Sequence, residues 1–223
     1  MINKKEDSKV SEYWVGEPPT VASMIQNQSE TLQLEERREI LSQTPGLDGK
    51  QVLELGAGIG RFTSHFATTA KAVTAVDFTK QFIDENERAN SEFENITYLV
   101  ADVMDLNFAD QSFDFVFMNW LLMYLDDPQI AQLQKSILRW TRPDARVFLR
   151  ESCVTGSSGQ AKRVNTPAFW GNNPAEYYAT YRSKDEYTQL FANGFSLLHT
   201  GNVKIYEQLL NNPHQYYWLF RRG

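Results

Sequence analysis

The chain has 223 residues, 42% of them hydrophobic and 22% charged, which is the usage of a folded domain and not of a disordered, fibrous or low-complexity chain. Twenty-two Lys and Arg against 28 Asp and Glu leave a formal charge of −6, which argues against binding polyanionic nucleic acid. The one cysteine, Cys153, excludes an internal disulfide framework and a multi-cysteine zinc site, and the longest unbroken apolar run, Trp120 to Leu125, is far short of the roughly 20 residues that span a bilayer.

Residues 1–12 are polar and expected to fray. They lack the apolar region of a secretory signal, so a reducing, cytoplasmic setting is the expectation. Tyr13 to Pro45 reads as mostly helical, with Pro18-Pro19-Thr20 as a helix-start signal and helix formers from Leu34 to Leu41. Residues 1–46 are thus expected to form a leader or lid, broken from the rest by Gly46 to Gly49, and 47–223 the main domain. Short apolar strands follow at 52–55, 73–77, 96–100, 113–119 and 146–150, with helix-length stretches near 61–70, 79–90 and 127–140 between them. Alternating strands and helices predict an α/β, Rossmann-like, mostly parallel sheet with helices on both faces. The polar stretch 155–173 reads as a long loop, within a substrate-binding lid of about 152–190. A helix near 183–193 and strands near 195–203 and 214–220 complete the reading, the last two forming an antiparallel edge.

The strongest local signal is Glu54-Leu55-Gly56-Ala57-Gly58-Ile59-Gly60-Arg61, at the end of the first strand. Glycines let the backbone turn tightly and approach a ligand. The spacing G-x-G-x-G departs from the dinucleotide fingerprint G-x-G-x-x-G, with Arg61 where its third glycine would stand. Glu54 would face a pyrophosphate badly and a cationic amine well. Asp77, ending the second strand, can accept both ribose hydroxyls of a nucleoside. Asp102, after the third, can accept from an adenine amino group while the Val103 amide donates to the ring. All three acids sit at carboxyl ends of strands, where ligands bind in open α/β sheets. Together they fit an adenosine with a positive tail and no phosphates.

This pattern resembles the seven-stranded S-adenosylmethionine-dependent methyltransferases over roughly residues 50–150. More narrowly, Val52 to Thr63, Asn119-Trp-Leu-Leu-Met-Tyr-Leu125 and Arg150-Glu-Ser-Cys153 resemble the first methyltransferase domain of plant and nematode phosphoethanolamine N-methyltransferases. The resemblance implies S-adenosylmethionine as donor, S-adenosylhomocysteine as product, and methylation of phosphoethanolamine as the first step toward phosphocholine. Gly56, Gly58, Gly60, Arg61, Phe78 and Asn119 then join Glu54, Asp77, Asp102 and Val103 as cofactor-binding candidates. The resemblance also assigns Tyr181, Arg182, Tyr187 and Lys204 to the substrate phosphate, and Trp120 to the substrate amine through cation–π attraction.

Methyl transfer places a nucleophile in line with the sulfonium carbon, and an alkylamine must first lose its proton. Tyr124 is the candidate for that step, at a position where related single-domain phosphobase enzymes have a His, and Tyr13 in the leader is a second catalytic candidate. Lys162 and Arg163 can steer an anionic substrate. His65, His199 and His214 are scattered, so no metal site is expected. The partner is a small phosphorylated amine, without nucleic acid or membrane insertion, and the protein is expected to be a monomer. Two alternatives stand beside this reading: the same fold acting on another small amine or carboxylate, and a non-catalytic adenosyl-binding domain.

Overall fold

The computed structural model describes residues 4–25, 29–154, 164–170 and 173–223. Its centre is a seven-stranded sheet built from Gln51–Leu55 (β1), Ala72–Asp77 (β2), Ile96–Val100 (β3), Phe113–Asn119 (β4), Thr141–Ser152 (β5), Phe195–Asn202 (β8) and Gln215–Arg222 (β9). The order across it is β3-β2-β1-β4-β5-β9-β8. The first five strands pair in parallel, and β9 joins β5 and β8 antiparallel.

Both faces of the inner strands are buried, as a sheet covered by helices on each side requires. Leu53, Leu55, Val116, Met118, Val147, Leu149 and Trp218 point to one core. Val52, Phe115, Phe117, Phe148 and Leu219 alternate to the other. The first core is capped by Asp127–Trp140 (α6) and Lys184–Phe191 (α7). Each of these helices is started by a capping box, Asp126 with Gln129 and Ser183 with Glu186. In α6 the stripe Ile130, Leu133, Ile137 and Trp140 is fully or almost fully buried, the spacing of one helical face. The second core is covered by Glu30–Leu41 (α3), Thr63–Ala67 (α4) and Lys204–Leu210 (α8). Lys80–Ala89 (α5) follows β2, and Val21–Met24 (α2) lies in the leader.

Three elements differ from the sequence expectation. Residues expected to fray begin a helix, Lys4–Gly16 (α1), whose end is held where Gln81 Nε2 donates to the carbonyls of Val15 and Glu17 at 3.0 and 2.5 Å. The stretch expected to be a long loop contains a strand, Val164–Trp170 (β6), which pairs with Asn173–Tyr181 (β7) just past it in a separate two-stranded antiparallel sheet. The connection between the last two sheet strands contains α8. Among the described residues no helix is long and apolar enough to cross a membrane.

Candidate active site

A cavity of about 560 Å³ opens at the carboxyl ends of β1, β2 and β4, within the usual range for small-molecule sites. Its floor is the glycine loop. The amides of Gly56 and Ala57 donate to the Val76 carbonyl, each at 2.9 Å, which ties the loop to the end of β2. Gly58 has φ +54°, and a Cβ there would stand 3.2 Å from Met24 Sδ, because α2 closes over the loop. Gly60 serves a different purpose. Its φ is +85°, and a Cβ would fall 2.3 Å from Asn86 Oδ1. Gly60 therefore lets α5 pack against the loop, while Gly56, Ala57, Gly58, Ile59 and Arg61 around it line the cavity.

The three acids all line the cavity. Glu54 is almost fully buried and accepts the Thr63 hydroxyl at 2.6 Å. Burial pushes its carboxyl up to about 8, against the Thr63 hydrogen bond and aided by nearby Asp77. Asp77 accepts the Gly58 amide at Oδ2 and the Thr79 amide at Oδ1, both at 2.9 Å. Burial still raises its carboxyl, those two bonds opposing the rise. Asp102 is exposed at the rim, Oδ1 accepting the Met104 amide at 2.8 Å, with Val103 beside it. Phe78, Arg61 and Asn119 complete the cofactor candidates on the wall. Asn119 Oδ1 is buried with no hydrogen-bond partner. An orphaned acceptor and a carboxyl held protonated by burial are what a ligand with a cationic amine would satisfy.

Arg61 belongs to a buried charge cluster that sequence reading missed. It pairs with Glu36 of α3, and Glu36 also accepts the Tyr206 hydroxyl at 2.8 Å. Arg150, fully buried, has Nη2 3.2 Å from Glu36 and its guanidinium 3.5 Å above the Trp120 ring. Burial works to raise the Glu36 carboxyl, but the two arginines and Tyr206 hold it below its ordinary value. One signal for Glu36 was available: Leu32, Glu36 and Ile40 recur every fourth residue, so the acid sits in the apolar stripe of its helix.

At the other end of the cavity stand Trp120, Leu121, Tyr124, Leu125 and Gln129, with Trp14 of α1. Trp14 meets Tyr124 edge-on at 5.9 Å and Phe82 at 6.1 Å. Trp14, not Tyr13, reaches the cavity from the leader. Tyr13 stands just behind it, edge-on to Trp14 at 5.1 Å, between the cavity-lining Trp14, Ile59 and Phe82 and the Met123–Ala179 pair. Trp120 lines the cavity, but Arg150 covers a face of its ring, so the cation on Trp120 is the protein's own.

The four residues assigned to the substrate phosphate are not gathered. Arg182 is fully buried and spent: it donates to Asp127 Oδ1 at 3.0 Å and to the carbonyls of Leu122 and Leu125 at 3.0 and 2.7 Å. Tyr187 is buried in the first core against Trp218. Tyr181 is half-buried beside Tyr13. Lys204 is exposed at the start of α8, on the opposite face of the sheet, paired with Glu207 at 3.4 Å. None of the four is on the cavity wall. Lys162 and Arg163 lie outside the described residues.

The sheet order, the glycine loop and the acids at the strand ends define the class of fold: a Rossmann-like domain with the sheet of the methyltransferase fold. Residues 52–144 match the family described as "Methyltransferase domain". Within that class the chain is a relative of the phosphoethanolamine N-methyltransferases. It is 37% identical over 214 residues to a protein of that name from Triticum aestivum, covering 90% of this chain and 40% of that protein. It is 35% identical over 211 residues to phosphoethanolamine N-methyltransferase 1 of Caenorhabditis elegans, covering 91% and 44%. A solved structure of Haemonchus contortus phosphoethanolamine N-methyltransferase 1, in complex with phosphoethanolamine and S-adenosylhomocysteine, superposes with a TM-score of 0.84 at 32% identity, covering all of this chain and 50% of that one. The chain thus spans less than half the length of the curated relatives it matches.

Proposed function

We propose that this chain is an S-adenosylmethionine-dependent N-methyltransferase domain that methylates the amine of phosphoethanolamine. The observation that carries the reading is the cavity wall, where a glycine loop and three carboxyl groups meet an orphaned Asn119 oxygen. The relative whose structure holds phosphoethanolamine and S-adenosylhomocysteine supports the choice of donor and acceptor.

The donor, when bound, supplies an electrophilic methyl group on a sulfonium. Asp77 offers its remaining lone pairs to ribose hydroxyls, and Asp102 and Val103 hold the adenine edge. Glu54 and Asn119 face the amino-acid end, where a positive charge converts Glu54 from a protonated to an ionised carboxyl. Arg61, pinned by Glu36, is part of the same wall. Tyr124 stands where the acceptor amine must shed its proton. Trp14, Met24 and α1 form a lid that keeps water from the transfer.

Mass spectrometry of products after incubation with donor and phosphoethanolamine, its monomethyl form or its dimethyl form tests the reading and counts the methylations. Binding of S-adenosylhomocysteine without methylation of phosphoethanolamine refutes the acceptor, and no binding leaves only a scaffold. Transfer to a different small amine is a second reading favoured by one observation: among the described residues the cavity wall carries a single cation, Arg61, and it is already paired. Comparable kcat/KM on phosphoethanolamine and ethanolamine would establish it.

A further inference from the structure

The segment 120–125 forms the far wall of the cavity, and its backbone is strained. Trp120 has φ +55°, a conformation that costs a residue with a side chain on the order of 1–3 kcal/mol and persists only where its surroundings enforce it. Two buried ionisable groups, an acid and a base, grip this segment. Glu151 Oε1 accepts the amides of Leu121 and Leu122 at 2.9 and 2.7 Å. Arg182 donates to the carbonyls of Leu122 and Leu125 from the other side of the turn. Both side chains are fully shielded from solvent, and neither is on the cavity wall. Glu151 Oε2 has no partner, so the carboxyl is committed to the turn through one oxygen.

We propose that Glu151 is a positioning residue that, opposite Arg182, fixes the Trp120–Tyr124 turn and so sets where Tyr124 stands in the cavity. The chemistry explains the choice of residues. One oxygen accepting two consecutive amides holds both to a single point, and one guanidinium spanning two carbonyls holds the turn's other pole. A merely packed turn would not need two buried ionisable side chains. The proposal rests on the transferase reading only in its kinetic consequence; the hold on the backbone does not.

The test compares two variants that part the reach of the oxygen from the ionisable carboxyl. Glu151→Gln keeps an acceptor oxygen at the same reach without an ionisable group, and Glu151→Asp keeps the carboxyl but withdraws the oxygen by one methylene. Amide hydrogen exchange of Leu121 and Leu122 in the intact chain is the first readout. Exchange there should quicken tenfold or more in Glu151→Asp and stay within threefold of wild type in Glu151→Gln, with β1 amides unchanged in both. Steady-state kinetics with donor and phosphoethanolamine is the second. Glu151→Asp should lower kcat tenfold or more with KM and S-adenosylhomocysteine affinity within threefold, and Glu151→Gln should restore kcat. Unchanged exchange in Glu151→Asp, or Glu151→Gln more damaging than Glu151→Asp, overturns the proposal. If the wild type methylates nothing offered, the transferase reading fails while the exchange comparison still decides the proposal.

Discussion

In the proposed reading Glu54 couples donor binding to a proton. Its carboxyl ordinarily loses a proton near 4.5 and in the folded chain keeps it up to about 8, because burial outweighs the Thr63 hydrogen bond. At pH 7 roughly nine-tenths of molecules then carry that proton. A cationic amine beside Glu54 favours the ionised form, so binding of S-adenosylmethionine or S-adenosylhomocysteine at pH 7 should release close to one proton. Calorimetric titration in two buffers of different ionisation enthalpy reads that number directly, and Glu54→Gln should remove most of it. The same group tilts stability. The unfolded chain ionises Glu54 above 4.5 and the folded chain only near 8, so stability should fall as pH rises through that window and level off beyond it. At about 1.4 kcal/mol per tenfold change in proton affinity, the span from 4.5 to about 8 amounts to on the order of 5 kcal/mol. Urea titrations from pH 5 to 9 should show this slope in the wild type and a shallower one in Glu54→Gln, the remainder coming from Glu151 and Asp77, whose carboxyls burial also raises. A buffer-independent binding heat, or equal slopes in the two proteins, would refute the reasoning.

Gly60→Ala puts a Cβ 2.3 Å from Asn86 Oδ1 on a backbone at φ +85°, so urea unfolding should show a loss of about 3 kcal/mol. Arg182→Met leaves Asp127 and two carbonyls without their donor and should cost about 3 kcal/mol or more by the same measurement; a stable variant whose only defect is a high KM for phosphoethanolamine would return Arg182 to the phosphate. Tyr124→Phe should lower kcat by about a hundredfold while S-adenosylhomocysteine binding, measured calorimetrically, stays within threefold. Equal kcat in the two proteins would remove Tyr124 from the reaction.

What the sequence made legible was whatever depends on neighbours along the chain. Val52 to Leu55 and Phe113 to Asn119 announced buried strands through continuous apolar runs, and the glycines and strand-end acids stood in one local pattern. The β6–β7 hairpin was hidden because Pro167 and Pro174 fall within its strands, where proline usually argues against pairing. Helix α8 was hidden because Lys204 to Leu210 is short and lies between two strands that already read as neighbours. The scatter of the phosphate set has a different cause. Arg182 and Lys204 are the right residue types, but whether a cation is free depends on Asp127, Leu122 and Leu125 in one case and on which face of the sheet α8 covers in the other. Such facts belong to contacts across many residues, as does the grip of Glu36 on Arg61 and Arg150.

That grip decides where the molecule may be cut. A fragment starting at the natural-looking break around Gly46 would keep every strand, the glycine loop and all three cavity acids, yet it would lack the acid that Arg61 and Arg150 share. Two guanidinium groups would be stranded beside the cavity without their shared acid. What looks like a detachable cap is also a counter-ion supplied from outside the sheet, and any smallest working version of this domain must begin upstream of α3.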